Sequence, residues 1–178
     1  MSKKKIVLDT NVLGWALRDK LKESDRPKKI KAEKYFKHLS DNNVSIVLPA
    51  VVLFELLSVY SDTESDQRDK IQFMDTLSRH CQVTDFDDES AVVAAEYFSL
   101  THSGACRDDS AEREKSKRKT DTMILAQAAC EKADELITND RGFIKLAGKL
   151  YEARKCTVTV TDIPEDPQID IEELMYQR

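Results

Sequence analysis

Short apolar runs alternate along this chain with stretches in which apolar residues recur every three or four positions. That alternation is the pattern of parallel strands joined by crossover helices. KIVLD, residues 5–9, predicts a first strand followed by a helix over about 11–21. PKKIKAEKYFKHLSDN predicts a second helix after Pro27, with Ile30, Tyr35, Phe36 and Leu39 at helical spacing. VSIVL, 44–48, is the second strand, and Pro49 then opens the helix AVVLFELLSVY, at a position that tolerates its missing N–H. SDTESD reads as a turn, DKIQFMDTLSRH as a helix, QVTDF as a short third strand and DDESAVVAAEYFSLTH as a helix with acids in its first turn. Residues 103–119 show no apolar period and predict a loop, or at most an exposed helical arm. TDTMILAQAACEKA is an amphipathic helix with Thr120 as its expected N-cap. DELIT and CTVTV give the fourth and fifth strands, with DRGFIKLAG a short helix between them. The tail after Pro164 is acidic and holds only the helix-like IEELMY. This divides the chain into a domain over 1–163, with 103–119 inserted, and a tail over 164–178.

The first strand stops at an acid, Asp9, followed by Thr10 and Asn11. Sites in open parallel sheets form outside the carboxyl ends of the strands, where the strand order reverses. Asp140 follows the fourth strand in TNDRGF in the same way, so the two acids are candidates for one mouth. Glu55 lies among apolar neighbours in AVVLFELLSVY. Either it faces inward and needs a partner, because a lone buried carboxylate is costly, or it belongs to a polar stripe with Ser58 and Asp62. Asp121 falls in the expected first turn of its helix, where the helix dipole alone accounts for an acid. Each acid has such a bland reading by itself; together, all four occupy places that an α/β layout directs toward one edge of the sheet. Clustered carboxylates repel, so a positive partner is needed, and a hard divalent cation such as Mg²⁺ or Mn²⁺ prefers oxygen ligands.

Composition narrows the setting. A chain of 178 residues with 40% hydrophobic content suits one globular domain. No apolar stretch approaches the roughly 20 residues of a membrane helix, and the N-terminus enters a strand rather than a signal-peptide core, so a cytoplasmic protein is expected. Cys81, Cys106, Cys130 and Cys156 form no zinc spacing and are expected to be reduced. His38, His80 and His102 are too scattered to suggest a metal site, and Trp15, near Leu13 and Leu17, reads as a core or interface residue. The net charge of −5 does not advertise a nucleic-acid binder, so a polyanion would have to meet a local patch. KSKRK supplies one, with Lys115, Lys117, Arg118 and Lys119 just ahead of Asp121; its bland alternative is a solvated loop.

IVLDTNVL, the glutamate of PAVVLFELLS, KTDTMILAQAA and ELITNDRGF together resemble the PIN domain, a family of metal-dependent nucleases that includes the VapC-type toxins of toxin–antitoxin pairs. The resemblance runs in order to about residue 147. It implies a three-layer α/β/α sandwich around a small, mainly parallel sheet and a Mg²⁺- or Mn²⁺-dependent ribonuclease site. Asp9, Glu55, Asp121 and Asp140 map onto the family's acidic quartet, and Thr10, Asn11, Thr138 and Asn139 onto its supporting polar positions. On this reading Asp9 and Asp140 hold the ion directly, and Asp121 does so directly or through water. Glu55 binds through water or orients the attacking water. RNA is the expected substrate, with an antitoxin and a second copy of the chain as expected partners. The insertion and the acidic tail depart from the compact toxin pattern, and Asp108 and Asp109 are possible extra acids. The competing readings are a catalytically silent interaction module, a nuclease acting on DNA or structured nucleic acid, and a haloacid dehalogenase-type phosphatase. The last normally needs a second Asp two residues after the first, where Asn11 stands.

Overall fold

A computed structural model describes residues 3–18, 21–101 and 112–165. Five strands, β1 (Lys5–Leu8), β2 (Ser45–Pro49), β3 (Cys81–Thr84), β4 (Glu135–Ile137) and β5 (Thr159–Thr161), form one sheet in the order β3-β2-β1-β4-β5. Every neighbouring pair is parallel, with Ile6 opposite Ile46 and Val7 opposite Leu136. Ile6, Val7, Leu8, Ile46, Val47, Leu48, Leu136 and Ile137 are all buried. Unbroken apolar runs are what strands covered on both faces require. The helices are α1 (Thr10–Leu17), α2 (Arg26–Asp41), α3 (Ala50–Leu57), α4 (Glu64–His80), α5 (Asp88–Leu100), α6 (Glu112–Cys130) and α7 (Arg141–Glu152).

From β1 the chain steps to β2 and β3 on one side, then returns past them to β4 and β5. Right-handed crossovers therefore place α1 to α4 on one face and α5 to α7 on the other. This is the three-layer sandwich that the sequence resemblance implies. α1 packs on α2 and α5 on α6. The order reverses between β1 and β4, and the backbone pairing runs one residue past the strands there. Asp9 N donates to Ile137 O at 2.9 Å and Thr138 N to Thr161 O at 2.9 Å. Asp9 and Thr138 are thereby set side by side at the carboxyl edge.

Several boundaries differ from the sequence reading. α1 ends at Leu17, not near 21, and Arg18 leaves it in an extended conformation, its guanidinium donating to Leu56 O at 2.8 Å. SDTESD is turn only in its first half. Thr63 caps α4 by accepting from Asp66 N at 3.3 Å, and Glu64 and Asp66 complement the helix dipole. The largest difference is at α6, which starts at Glu112, so Thr120 is an interior residue and not an N-cap. Residues 112–119 are mostly Glu, Arg and Lys, strong helix formers that propagate a helix without an apolar face. The remainder of the inserted segment, with Asp108, Asp109, Cys106 and His102, lies outside the described residues, as does the tail from 166. Cys81, Cys130 and Cys156 are free thiols. No described helix is long and apolar enough to cross a membrane.

Gln127 on α6 joins three elements in the interior. Its amide donates to Thr84 O at 3.2 Å and Asp85 O at 3.0 Å, beyond β3, and its oxygen accepts from Val51 N in the first turn of α3 at 3.5 Å. Gln127→Leu keeps the size and strands all three backbone groups. Urea unfolding should show a loss of about 2–3 kcal/mol with an unchanged m-value; a loss below about 0.5 kcal/mol would remove the clamp from the account.

Candidate active site

Asp9 caps α1. Its Oδ1 accepts from Thr10 N and its Oδ2 from the Thr138 hydroxyl, each at 2.7 Å. The Thr138 hydroxyl also accepts from Asp140 N at 3.1 Å, tying the end of β1 to the start of α7. Thr10 carries a second link, since its hydroxyl donates to Glu55 Oε2 on α3. Of the two readings of Glu55, the structure takes the inward one. Val52 and Leu56 bury the core face of α3, Phe54 is 71% exposed, and Glu55 is half-buried between them, bonded to Thr10. Asp140 caps α7 through Oδ1, which accepts from Gly142 N at 2.8 Å and Phe143 N at 3.1 Å. A Cβ at Gly142 would stand 3.1 Å from that oxygen, so glycine permits the close approach. Asp121 is buried on α6 and accepts no hydrogen bond from a described residue.

The four acids act on one another electrostatically. Burial pushes Asp9 up to about 6, with the charges of Glu55 and Asp140 adding to it while its hydrogen bonds to Thr138 and Thr10 oppose. Burial pushes Asp121 further, to about 8, reinforced by Asp9, Asp140 and Glu55. At Asp140, burial also acts upward, but Lys117 and the amides of Gly142 and Phe143 outweigh it and hold the carboxyl below the ordinary range. Lys117 forms an ion pair with Asp140 Oδ2, which raises the lysine's own pKa.

The sequence reading kept KSKRK together as a phosphate-binding patch or solvated loop; the helix separates its members. Lys117 turns to Asp140, and Arg118 is buried at 8% exposure and so is not a solvated phosphate contact. Lys115 and Lys119 line a groove of about 490 Å³ with Phe98 and Ser116. The supporting polar residues divide as well. Thr10 and Thr138 hold the acids, Asn11 is exposed, and the Asn139 amide donates instead to Asp162 at 3.0 and 3.2 Å. Asp162 is a fifth acid at this edge, following β5 as Asp9 follows β1, and the same strand-end rule would have found it. Trp15 is half-buried with Lys28 over its ring, 4.8 Å from the centroid.

Among the described residues no three acids, histidines or cysteines close into a metal cage. The arrangement among the described residues is an open edge cluster of oxygen donors, with two buried acids whose pKa values are raised and the Lys117 ammonium paired with Asp140. Such a donor set fits the chemistry of a hard divalent cation completed by water and substrate oxygens, and Asp9, Asp121 and Asp140 are the residues that could hold one.

The PIN domain family model matches residues 6–149. Among solved structures, a chain of VapBC2 from Rickettsia felis bound to a DNA fragment from their promoter has a similar fold. Its TM-score is 0.58 at 17% identity, covering 88% of this chain and 98% of that one. A chain of DNA-bound VapBC from Salmonella typhimurium gives a TM-score of 0.55 at 15% identity, covering 90% and 99%. No curated protein sequence matches the chain.

Asp9 and Asp121 bind protons more tightly folded than unfolded, so from the ordinary 3.8 up to about 8 folding takes up protons and stability falls as pH rises. In chelator, the urea midpoint should drop between pH about 5 and about 8, by roughly 2 kcal/mol or more in stability. Asp121→Asn should flatten most of that slope. A midpoint that climbs across the window would contradict the burial assigned to the two acids.

Proposed function

The chain belongs to the PIN domain family, and from that premise we propose that it is a divalent-cation-dependent ribonuclease acting as the toxin of a toxin–antitoxin pair. The observation that carries this reading is the convergence of four carboxylates, from the ends of β1 and β4 and from α3 and α6, at the switch point of the sheet. An acid cluster facing a polyanion makes sense only when cations complete it. A bound Mg²⁺ or Mn²⁺ supplies a water of lowered pKa and a Lewis acid for the scissile phosphate. Asp9 is held in place by Thr10 N on Oδ1 and the Thr138 hydroxyl on Oδ2, which fixes its carboxylate at the end of β1. Glu55, aligned by the Thr10 hydroxyl, takes the proton of the attacking water as the new P–O bond forms. The ester oxygen leaves and is protonated from solvent. Asp140, fixed by the first turn of α7, and Asp121 complete the anionic rim.

Lys115 and Lys119, one helical turn apart on the groove they line with Phe98 and Ser116, are the proposed phosphate contacts. By likeness to the VapBC complexes, the proposed protein partner is a VapB-type antitoxin covering the acid edge. The inhibitor that fits best presents a basic side chain to carboxylates whose mutual repulsion already favours a counter-charge.

Incubated with a mixed RNA panel, the purified chain should cleave in Mn²⁺ or Mg²⁺ and stop in chelator. Asp9→Asn and Asp121→Asn should each lower the rate by at least about 100-fold while remaining folded by circular dichroism. Cleavage that survives Asp9→Asn without metal would indicate a contaminant. Inertness toward RNA would sink the assignment, in favour of a DNA nuclease if DNA is cut and of an interaction module if it is not. For binding, Lys115→Gln with Lys119→Gln should reduce the slope of log Kd against log salt by about 1.4 for single-stranded RNA. An unchanged slope removes these lysines from the interface.

A further inference from the structure

We propose that Lys117 is a built-in counter-cation of the acid cluster, seated on the Asp140 oxygen that the fold leaves open, and that a divalent cation entering the site displaces it. This rests on the reading that the acids bind such a cation. Asp140 has two carboxylate oxygens with different duties. Oδ1 is committed to the amides of Gly142 and Phe143 at the start of α7. Oδ2 is the one free to meet a ligand, and the Lys117 ammonium occupies it.

The placement is built into α6. Lys117 precedes Asp121 by four residues, so both side chains project from the same helix face, and the ammonium also lies in the fields of Asp121 and Asp9. Its neighbours cannot substitute, because Arg118 is buried and Lys115 and Lys119 line the Phe98 groove. The pair is also asymmetric. The Lys117 side chain is 59% exposed, against 13% for Asp140. When a stronger positive charge arrives, the lysine can swing into water on its flexible stem with little desolvation to undo, whereas the capped carboxylate must stay. Cation affinity is therefore lowered by the work of removing Lys117, much as a binding-competent state populated only in part weakens apparent affinity. In return, the cation-free protein does not hold four acids together without a counter-charge.

Calorimetric titration of Mn²⁺ into the full chain tests this, comparing wild type, Lys117→Met and, as a control for net charge, Lys34→Met on the exposed side of α2. Lys117→Met should bind Mn²⁺ about tenfold more tightly, and Lys34→Met should stay within about twofold of wild type. In chelator, Lys117→Met should melt below wild type, and the difference should vanish when Asp140→Asn is present in both. Equal or weaker Mn²⁺ binding by Lys117→Met overturns displacement while leaving the cation reading intact. Absence of Mn²⁺ binding in every variant overturns both, and the chelator melts then show whether the Lys117–Asp140 pair survives as a purely structural contact.

Discussion

Burial of carboxylates beside one another at a partly dry sheet edge is the constraint on which this site depends. A carboxylate that loses water loses its favourable solvation, and a second one nearby makes ionisation harder still. Asp9 and Asp121 both show this, with pKa values pushed up to about 6 and about 8. Asp9 and Asp140 also serve as helix caps, but no hydrogen bond from a described residue calls for an acid at Asp121, where a Leu or Asn would spare the fold the tension. A cluster of oxygen donors under this tension would be relieved by a ligand of opposite charge, for which a hard cation is the chemical match.

The sheet explains why these acids meet. A parallel sheet with order β3-β2-β1-β4-β5 reverses between β1 and β4, so the chain leaving β1 turns toward one face and the chain leaving β4 toward the other. The crevice between those exits cannot be filled by either crossover. Asp9 and Asp140 sit at the two exits, and α3, leaving the neighbouring β2, brings Glu55 from the side. α6 is the one element that reaches this edge from a longer path, and its extra turns from Glu112 bring Lys117 along with Asp121. The separation of Lys117 from Lys115 and Lys119 is a consequence of helical geometry, since residues two apart in a helix point in nearly opposite directions.

Much of this was legible in the sequence because it depends on local pattern. Continuous apolar runs point to strands covered on both faces, and strand-end acids to the edge. An acid inside the apolar α3 points to a choice between an inward residue in need of a partner and a polar stripe, which the Thr10 bond resolves toward the first. What escaped depended on helix phase or on distant contacts. The charged stretch 112–119 has no apolar period, so the pattern alone cannot choose between a loop and an exposed helical arm, although the composition favours helix. Once it is helical, the spacing of Lys117 and Asp121 becomes meaningful. Arg118 looked like one more surface charge and is buried. Gln127 carried no signal, because its value lies in three backbone groups far away in the chain. The resemblance implies a supporting role for Asn139 beside the acids, yet its amide donates to Asp162 in the loop after β5.

The two threonines explain why Asp9, not its neighbours, is central to the cluster. A hydroxyl offers one proton and accepts through its lone pairs, so its direction is settled by whichever donor already occupies it. The Asp140 N–H donates into the Thr138 hydroxyl, which leaves the hydroxyl proton for Asp9 Oδ2. Thr10 gives its backbone N–H to Asp9 Oδ1 and its hydroxyl proton to Glu55. Each threonine thus couples Asp9 to another acidic residue, Thr10 to the Glu55 carboxylate and Thr138 to the Asp140 backbone N–H. The Asp9 and Glu55 carboxylates and the start of α7 therefore share one hydrogen-bonded frame without direct contact between like charges. Asp121 stands outside that frame, joined to it through the electrostatic field alone. Being buried and without hydrogen bonds from described residues, its oxygens have the most to gain from a cation, and its ionisation is the one most readily set by what the site binds.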